Sequence, residues 1–421
     1  MRVTPSRRHN IAALGADYAL FLIGLSFASQ STILPAFAAH LGAPNVALGA
    51  IPAVMTVGWF LPSLFTAGHT ETLARKLPFV LRHTIWERAP FLVLALAAFF
   101  LADRAPAATL AVLLLMLLVV TGVGGALMPA WMDIIGRAIP VTVRGRFFAM
   151  SSLAAGVGGF AGSFATARIL AAFPAPASYG VCFLCATACM ALSWLALALV
   201  REPPAAPAAP PVALGTYLAR IPALLRRDRN LARFLVARAF AIAAMMAGGF
   251  YTVYALRAWA PPASQVGVFT ALLLAGQIAG NVALGWLADR AGHRLVIIAG
   301  LAATVAANLV ALAAPSLGAF DAVFVLAGVQ VAAINISNLN VLLEFAPGPA
   351  EQPTYVGLGT TLMAPVAFGA PLAAGLLADT AGFSAVFVAA TGAGAVGLGL
   401  LVWRVSDPRH LRRAMTQTDQ E

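Results

Sequence analysis

The chain has 421 residues, 61% of them hydrophobic and only 10% charged, with a mean hydropathy of +0.89. That composition excludes a water-soluble globular enzyme and a disordered chain, and describes a protein whose solvent is mostly lipid. The formal net charge of +11 requires no nucleic acid: with the N-terminus cytoplasmic, 21 of the 26 basic residues fall on the cytoplasmic side, so the charge reads as a topology signal with some attraction to anionic lipid.

A helix crosses a hydrocarbon core with about 20 apolar residues. Charge-free runs predict spans at 18–39, 41–68, 105–132, 147–167, 169–200, 239–256, 258–288, 295–320, 322–343, 352–378 and 380–403. The run 89–102 is short, but reaches spanning length if its helix begins near Thr84 and carries Glu87 and Arg88 in its first turns, which makes twelve spans. Both termini are then cytoplasmic, with Arg104 and Arg257 outside and Arg88, Arg168 and Arg238 within spans.

The first span follows Arg7 and Arg8, yet its apolar stretch is about twice the h-region of a cleaved signal, so it reads as a retained span. It carries Asp17, six residues past its entry at Ile11, and Arg238 lies six past Ala232 at the entry of span seven. The two occupy similar depths, where a charge costs on the order of 3 kcal/mol, so each needs partners; local ones are expected before a direct pair. Span four exits through WMDIIGRAIPVTVRGRFF at 131–148, and Asp133 is placed to pair with Arg137. Arg168 lies 22 residues after Arg146, about 33 Å along a helix, and so snorkels to the far interface. Cys182, Cys185 and Cys189 share one face of span six and read as small packing residues rather than a metal site.

Residues 201–231 divide the spans six and six: an 11–200 bundle, a 201–231 cytoplasmic linker, a 232–406 bundle and a 407–421 tail. Five prolines between 203 and 211 stiffen the linker. Beyond them, Tyr217, Leu218, Ile221, Leu224 and Leu225, interleaved with Arg220, Arg226 and Arg227, predict a basic amphipathic helix that Pro222 kinks or breaks.

Span eight ends in GWLADRAGHR at 285–294 and span eleven in GLLADTAGFS at 375–384. Three spans separate the copies, so the second is inverted relative to the first. In the first copy Gly285 would let helices approach closely, Gly292 would supply the positive φ of a tight reversal, and Arg290 and Arg294 would meet headgroups. Asp379, in the second copy, is expected to cap or solvate a turn. Glu344 ends span ten, within expected reach of Arg294, and Pro365, Gly369 and Pro371 mark span eleven as a bending helix.

GWLADRAGHR resembles the loop signature of the major facilitator superfamily, G-x-L-A-D-R-x-G-R-R/K, with His293 where that pattern has a basic residue. The resemblance extends to the twelve spans, the central basic loop and the charged exit of span four. The loop after span two, AGHTETLARKLPF, lacks the Gly-Asp frame, and the glycine-rich span five has no proline, so the antiporter signature is not met. The resemblance implies an all-α integral membrane protein: two six-helix bundles, each of inverted three-helix repeats, around a central cavity. It also implies that Asp289 sits at the cytoplasmic join of the halves, where it would clamp against Arg144 and Arg146; the competing reading is a local pair with Arg290 or Arg294. Spans one, four, seven and ten are implied as cavity walls. They offer Gln30 and Ser31; Met128 and Trp131; Met245, Tyr251 and Tyr254; and Gln330, Asn335 and Asn338. For Asn335 and Asn338, hydrogen bonding between helices is the alternative.

These features predict a secondary transporter of the cytoplasmic membrane working by alternating access. Its partners would be a small-molecule solute, lipid and protons, with no cofactor or metal. Proton-coupled export of amphiphilic compounds is favoured by the neutral, aromatic cavity set, with Asp17 as the leading proton carrier and Asp133 and Glu344 behind it. Import of a small polar metabolite is the alternative. A lipid-linked transferase or a receptor is the rival from another class, and the six scattered histidines and absent phosphate loop argue against the transferase.

Overall fold

The computed structural model describes residues 5–71, 73–202, 224–347 and 351–408, and among them every regular element is a helix. The prolines of the linker, Tyr217 to Pro222 and the tail from 409 lie outside the described residues; Leu224 to Arg227 are helical. Among the described residues, eleven helical stretches are long and apolar enough to cross a membrane. Lacking water, the bilayer interior forces each backbone to satisfy its own polar groups, which only helices do in a chain of this pattern. The protein is multi-pass.

The described residues form two compact units, Met1–Pro211 with Leu256–Ala271, and Val212–Ala255 with Leu272–Glu421. In the first, α1 (Pro5–Phe27) and the short α2 (Ile33–His40) make span one, and α3 (Asn45–Glu71) makes span two. Span three is α4 (Leu77–His83), α5 (Ile85–Arg88) and α6 (Pro90–Phe100), and α7 (Pro106–Ala138), α8 (Val141–Ala172) and α9 (Ala177–Ala198) complete the set. α3 lies along α7, α1 packs on α8 and α9, and α6 on α7 and α9. Span three therefore starts earlier than Thr84. Pro78 and Pro90 sit in the first turns of α4 and α6, where a missing N–H costs nothing, and the breaks at Thr84 and Ala89 isolate the single turn between them.

In the second unit, α10 (Arg229–Ala244) is capped by Asp228, which accepts from Leu231 N at 2.8 Å. A 3₁₀ turn over Met245–Gly249 joins it to α11 (Tyr251–Trp259). Then come α12 (Gln265–Ala291), α13 (His293–Ala313), α14 (Leu317–Phe320), α15 (Ala322–Ser337) and α16 (Asn340–Phe345). α17 (Gln352–Thr361) and α18 (Ala364–Ala381) form span eleven, which breaks one turn before Pro365, and α19 (Phe383–Trp403) closes the chain. α13 packs on α15 and α19, and α10 on α18 and α19.

The same device recurs inside each unit. Gly58 and Gly125 bring α3 onto α7, and Gly276 and Gly328 bring α12 onto α15, so closely that a methyl on any of the four would collide with the facing helix. The start of α12 belongs by its contacts to the first unit, where Thr32 and Thr270 share a buried hydrogen bond of 2.7 Å and Arg257 donates to Asn45 at 3.1 Å.

Candidate functional site

A helix facing lipid normally turns its charges inward, and α5 does so within one turn. Ile85 and Trp86 are exposed, whereas Glu87 and Arg88 are only 7% and 8% exposed. Arg88 Nη2 donates to Asp17 Oδ1 at 2.9 Å and to Ser193 Oγ at 3.0 Å, and Ser193 Oγ donates to the same carboxylate oxygen at 2.7 Å. Trp131 Nε1 donates to the other, Asp17 Oδ2, at 3.0 Å. On its far side Arg88 Nη1 reaches Glu87 Oε2 at 3.1 Å and the hydroxyl of Thr84, which itself donates to Glu87 Oε2 at 2.7 Å. The guanidinium also lies 5.3 Å from the Phe21 ring centroid. α1, α5, α7 and α9 are thus tied by one ionic network around Arg88.

This network forms one wall of a cavity of about 250 Å³ within the first unit. The remaining walls are mostly apolar and aromatic: Tyr18, Phe21, Leu22 and Leu25 from α1, Trp59 from α3, and Leu127, Met128 and Trp131 from α7. Tyr18 and Trp131 stack with centroids 6.0 Å apart at 21°. Gly124 makes room beside the network, since a methyl there would stand 2.6 Å from Glu87 Oε1 and 2.8 Å from Trp59 Cζ3. The chemistry is that of a small apolar chamber with a charged floor, containing two carboxylates against one guanidinium.

Of the residues singled out in the sequence, this site gathers Asp17 and Trp131, with Met128 beside them. Glu87, Thr84, Ser193 and Trp59 were missed. The signal available was that Asp17 and Arg88 were both intramembrane charges in need of a partner, in helices of one half. Asp133 lies elsewhere in the unit, accepting from Lys76 Nζ and Arg137 Nε, each at 2.6 Å. Glu202 joins that cluster by accepting the backbone N–H of Lys76 and Leu77 at 2.8–2.9 Å. Gln30 is exposed in the break between α1 and α2.

Residues 236–420 match the family model described as Major Facilitator Superfamily. Sequence comparison with curated proteins gives no match. By fold, the chain is similar over nearly its whole length to transporters of known structure. The nucleoside transporter NupG matches with a TM-score of 0.67 at 11% identity, covering 94% of this chain and 99% of that one. A bacterial homologue of the human lysosomal transporter Spinster, solved inward-facing and unoccupied, gives 0.64 at 15%, covering 99% of both. The E. coli fucose:proton symporter FucP gives 0.60 at 16%, covering 95% and 100%. The second half of the chain is thus similar to the major facilitator superfamily, and the chain as a whole shares its fold with these transporters.

The remaining residues singled out in the sequence have the following surroundings. Tyr251 is only 4% exposed; its hydroxyl donates to Asn308 Oδ1 at 2.8 Å and its ring stacks on Phe387, so its side chain packs in the core of the second unit. Tyr254 is half-buried and packs against Phe320, Phe383 and Phe387. Asn338 accepts from Arg238 Nη2, the interhelical alternative, while Asn335 is exposed; Gln330 donates to Met245 Sδ at 3.1 Å. Gly285 has open space where a side chain would be, so it mediates no close helix approach, whereas Gly292 adopts φ 93° as the reversal requires. Arg290 stacks over Trp286 at 4.2 Å. Arg294 donates to Leu401 O and Val402 O at 2.6 and 3.1 Å, satisfying the end of α19. Asp289 is exposed and enters no ion pair among the described residues, Arg144 donates to the carbonyls of Gly136 and Ile139, and Arg146 is exposed.

Proposed function

We propose that the protein is a secondary active transporter that carries a small amphiphilic solute across the cytoplasmic membrane by alternating access, in exchange for protons, with both termini cytoplasmic. The observation that carries this reading is the network of Asp17, Glu87 and Arg88 on the wall of an aromatic cavity. Burying three ionisable side chains in a lipid-bounded helix bundle costs several kcal/mol per uncompensated charge, and groups retained there mark solute and proton routes. Family and fold support transport in general; the aromatic walls support an amphiphilic solute. No catalytic step belongs to this reading.

Asp17 is assigned the coupling role, because loss of its charge would release Arg88, Ser193 and Trp131 together and so join protonation to rearrangement of four helices. In proteoliposomes with an imposed pH gradient, solute flux through the wild type is expected to rise with the gradient. Asp17→Asn is expected to carry residual flux that no longer follows it. Full gradient dependence in Asp17→Asn would remove Asp17 from the coupling role.

A further inference from the structure

Two carboxylates share one guanidinium in the first unit's cavity, and they do not share it equally. Asp17 has both oxygens occupied, Oδ1 by Arg88 and Ser193 and Oδ2 by Trp131. Glu87 has one oxygen occupied: Oε2 accepts from Thr84 and Arg88, and no described residue donates to Oε1. Glu87 is more than nine-tenths buried, lines the cavity, and directs Oε1 into the recess left by the absent side chain at Gly124, beside the Trp59 ring. An ionised carboxylate has about four acceptor sites and a desolvated one keeps them filled. With both acids ionised the cluster carries one surplus negative charge. In so apolar a chamber that charge requires a counter-charge, either a proton on the carboxylate or a cation in the cavity.

We propose that the surplus charge at Glu87 Oε1 is a recognition site for a monovalent organic cation with an apolar or aromatic body, held in competition with a proton. The proposal rests on the transport reading above and specifies its solute. The cavity supplies what such a ligand needs. Glu87 Oε1 would meet the positive head, the Trp59 and Tyr18 rings line the same cavity and supply aromatic contact, and Phe21, Leu25 and Met128 line the space for the apolar body. Arg88 is held by the two acids, and with both of them ionised the three charges sum to one negative, so the cluster as a whole attracts the head. An anion would meet the unpaired carboxylate oxygen and be rejected. Entry of one cation releases one proton from Glu87, leaving the chamber's charge unchanged. Binding at Glu87 thus exchanges one cation for one proton, and Asp17, by holding or releasing the shared Arg88, links that exchange to the rearrangement of the helices.

The test is direct binding to the purified full-length protein in detergent, by calorimetry, with three probes of one scaffold: benzyltrimethylammonium, benzyl alcohol and phenylacetate. The cation is expected to bind at least tenfold more tightly than the alcohol, with no binding of phenylacetate. Its Kd is expected to rise as pH falls, with close to one proton released per cation bound. Glu87→Gln should abolish the preference of cation over alcohol and the proton release. Glu87→Asp should retain part of both. Should Glu87→Gln fail to fold, Gly124→Ala, which fills the recess and leaves the acid in place, should weaken cation binding at least tenfold without affecting the alcohol. Equal binding of cation and alcohol, measurable binding of phenylacetate, or unchanged cation preference in both Glu87→Gln and Gly124→Ala would overturn the proposal. Flux in proteoliposomes separates the two readings. Cation-selective binding without transmembrane flux refutes transport and keeps the site, and gradient-driven flux of some other solute by a protein that ignores benzyltrimethylammonium does the reverse.

Discussion

At the residue scale, Arg88 matters most to the first unit, because four helices send polar groups to it or to its partners. A buried ion pair is not strongly stabilising against a well-packed apolar substitute, but removing one partner leaves the other charge uncompensated, typically at about 3–5 kcal/mol. Arg88→Met is therefore expected to destabilise the protein by about that much, since Asp17 and Glu87 then lose their only shared cation; a thermal unfolding scan in detergent checks it. Ser193→Ala is expected to cost about 1 kcal/mol, because Asp17 keeps Arg88 and Trp131. A double variant, Arg88→Met with Asp17→Asn, should recover part of the loss if charge rather than shape is at issue. Part of this was legible beforehand. Asp17 is conspicuous as an acid six residues inside an apolar span, and rarity of charge suffices to flag it. Glu87 was harder to read because it sits where span three was expected to begin, and a charge at a span end needs no special explanation. The broken α4–α5–α6 path puts it well inside.

At the element scale, the two copies of the Gly-x-Leu-Ala-Asp-x-Ala-Gly frame resolve into one geometric need. Their last glycines, Gly292 and Gly382, adopt φ 93° and 83° with ψ 161° and 171°, each between the helix it ends and the helix it starts. That conformation suits glycine and no residue with a side chain. The first glycine of the signature is not under the same demand, since a side chain at Gly285 meets nothing within 4 Å. Gly292→Ala is accordingly expected to destabilise by about 1–2 kcal/mol. Gly285→Ala is expected to be neutral or to stabilise by up to about 1 kcal/mol, as alanine is the better helix former. Chemical denaturation of the two variants side by side decides this, and equal losses would contradict the assignment. Positive φ at Gly292 could be anticipated because a reversal between two charged-ended spans leaves few other solutions. The surroundings of Tyr251 and Tyr254 could not. An aromatic residue on an implied cavity helix fits core and cavity equally well in sequence, and only its neighbours decide: Asn308 and Phe387 for one, Phe320 and Phe383 for the other.

At the scale of the whole molecule, the number of crossings turns on residues 77–100. Eleven helical stretches qualify as spans by length and apolarity, and an odd number of crossings would put the termini on opposite faces. The segment from Leu77 to Phe100 is divided into helices of 7, 4 and 11 residues, none of them long enough to cross alone. At about 1.5 Å per residue its path is roughly 36 Å, enough for a hydrocarbon core of about 30 Å. Its breaks are tolerable there because they are buried: the backbone N–H groups of Thr84, Glu87, Arg88 and Ala89 all bond within the segment, and the charged turn is satisfied by Asp17 and Ser193. The segment is therefore assigned as a twelfth crossing, which agrees with basic residues clustering on one side of the sequence-derived topology. A single cysteine placed at Arg104, in a background with Cys182, Cys185 and Cys189 replaced by alanine, is expected to react with an impermeant maleimide added outside intact cells. A cysteine at Arg75 is expected to react only after the membrane is opened. Reaction of both from the same side would mean that 77–100 turns back without crossing, and would place the carboxylate network of Glu87 at an interface instead of inside a transport path.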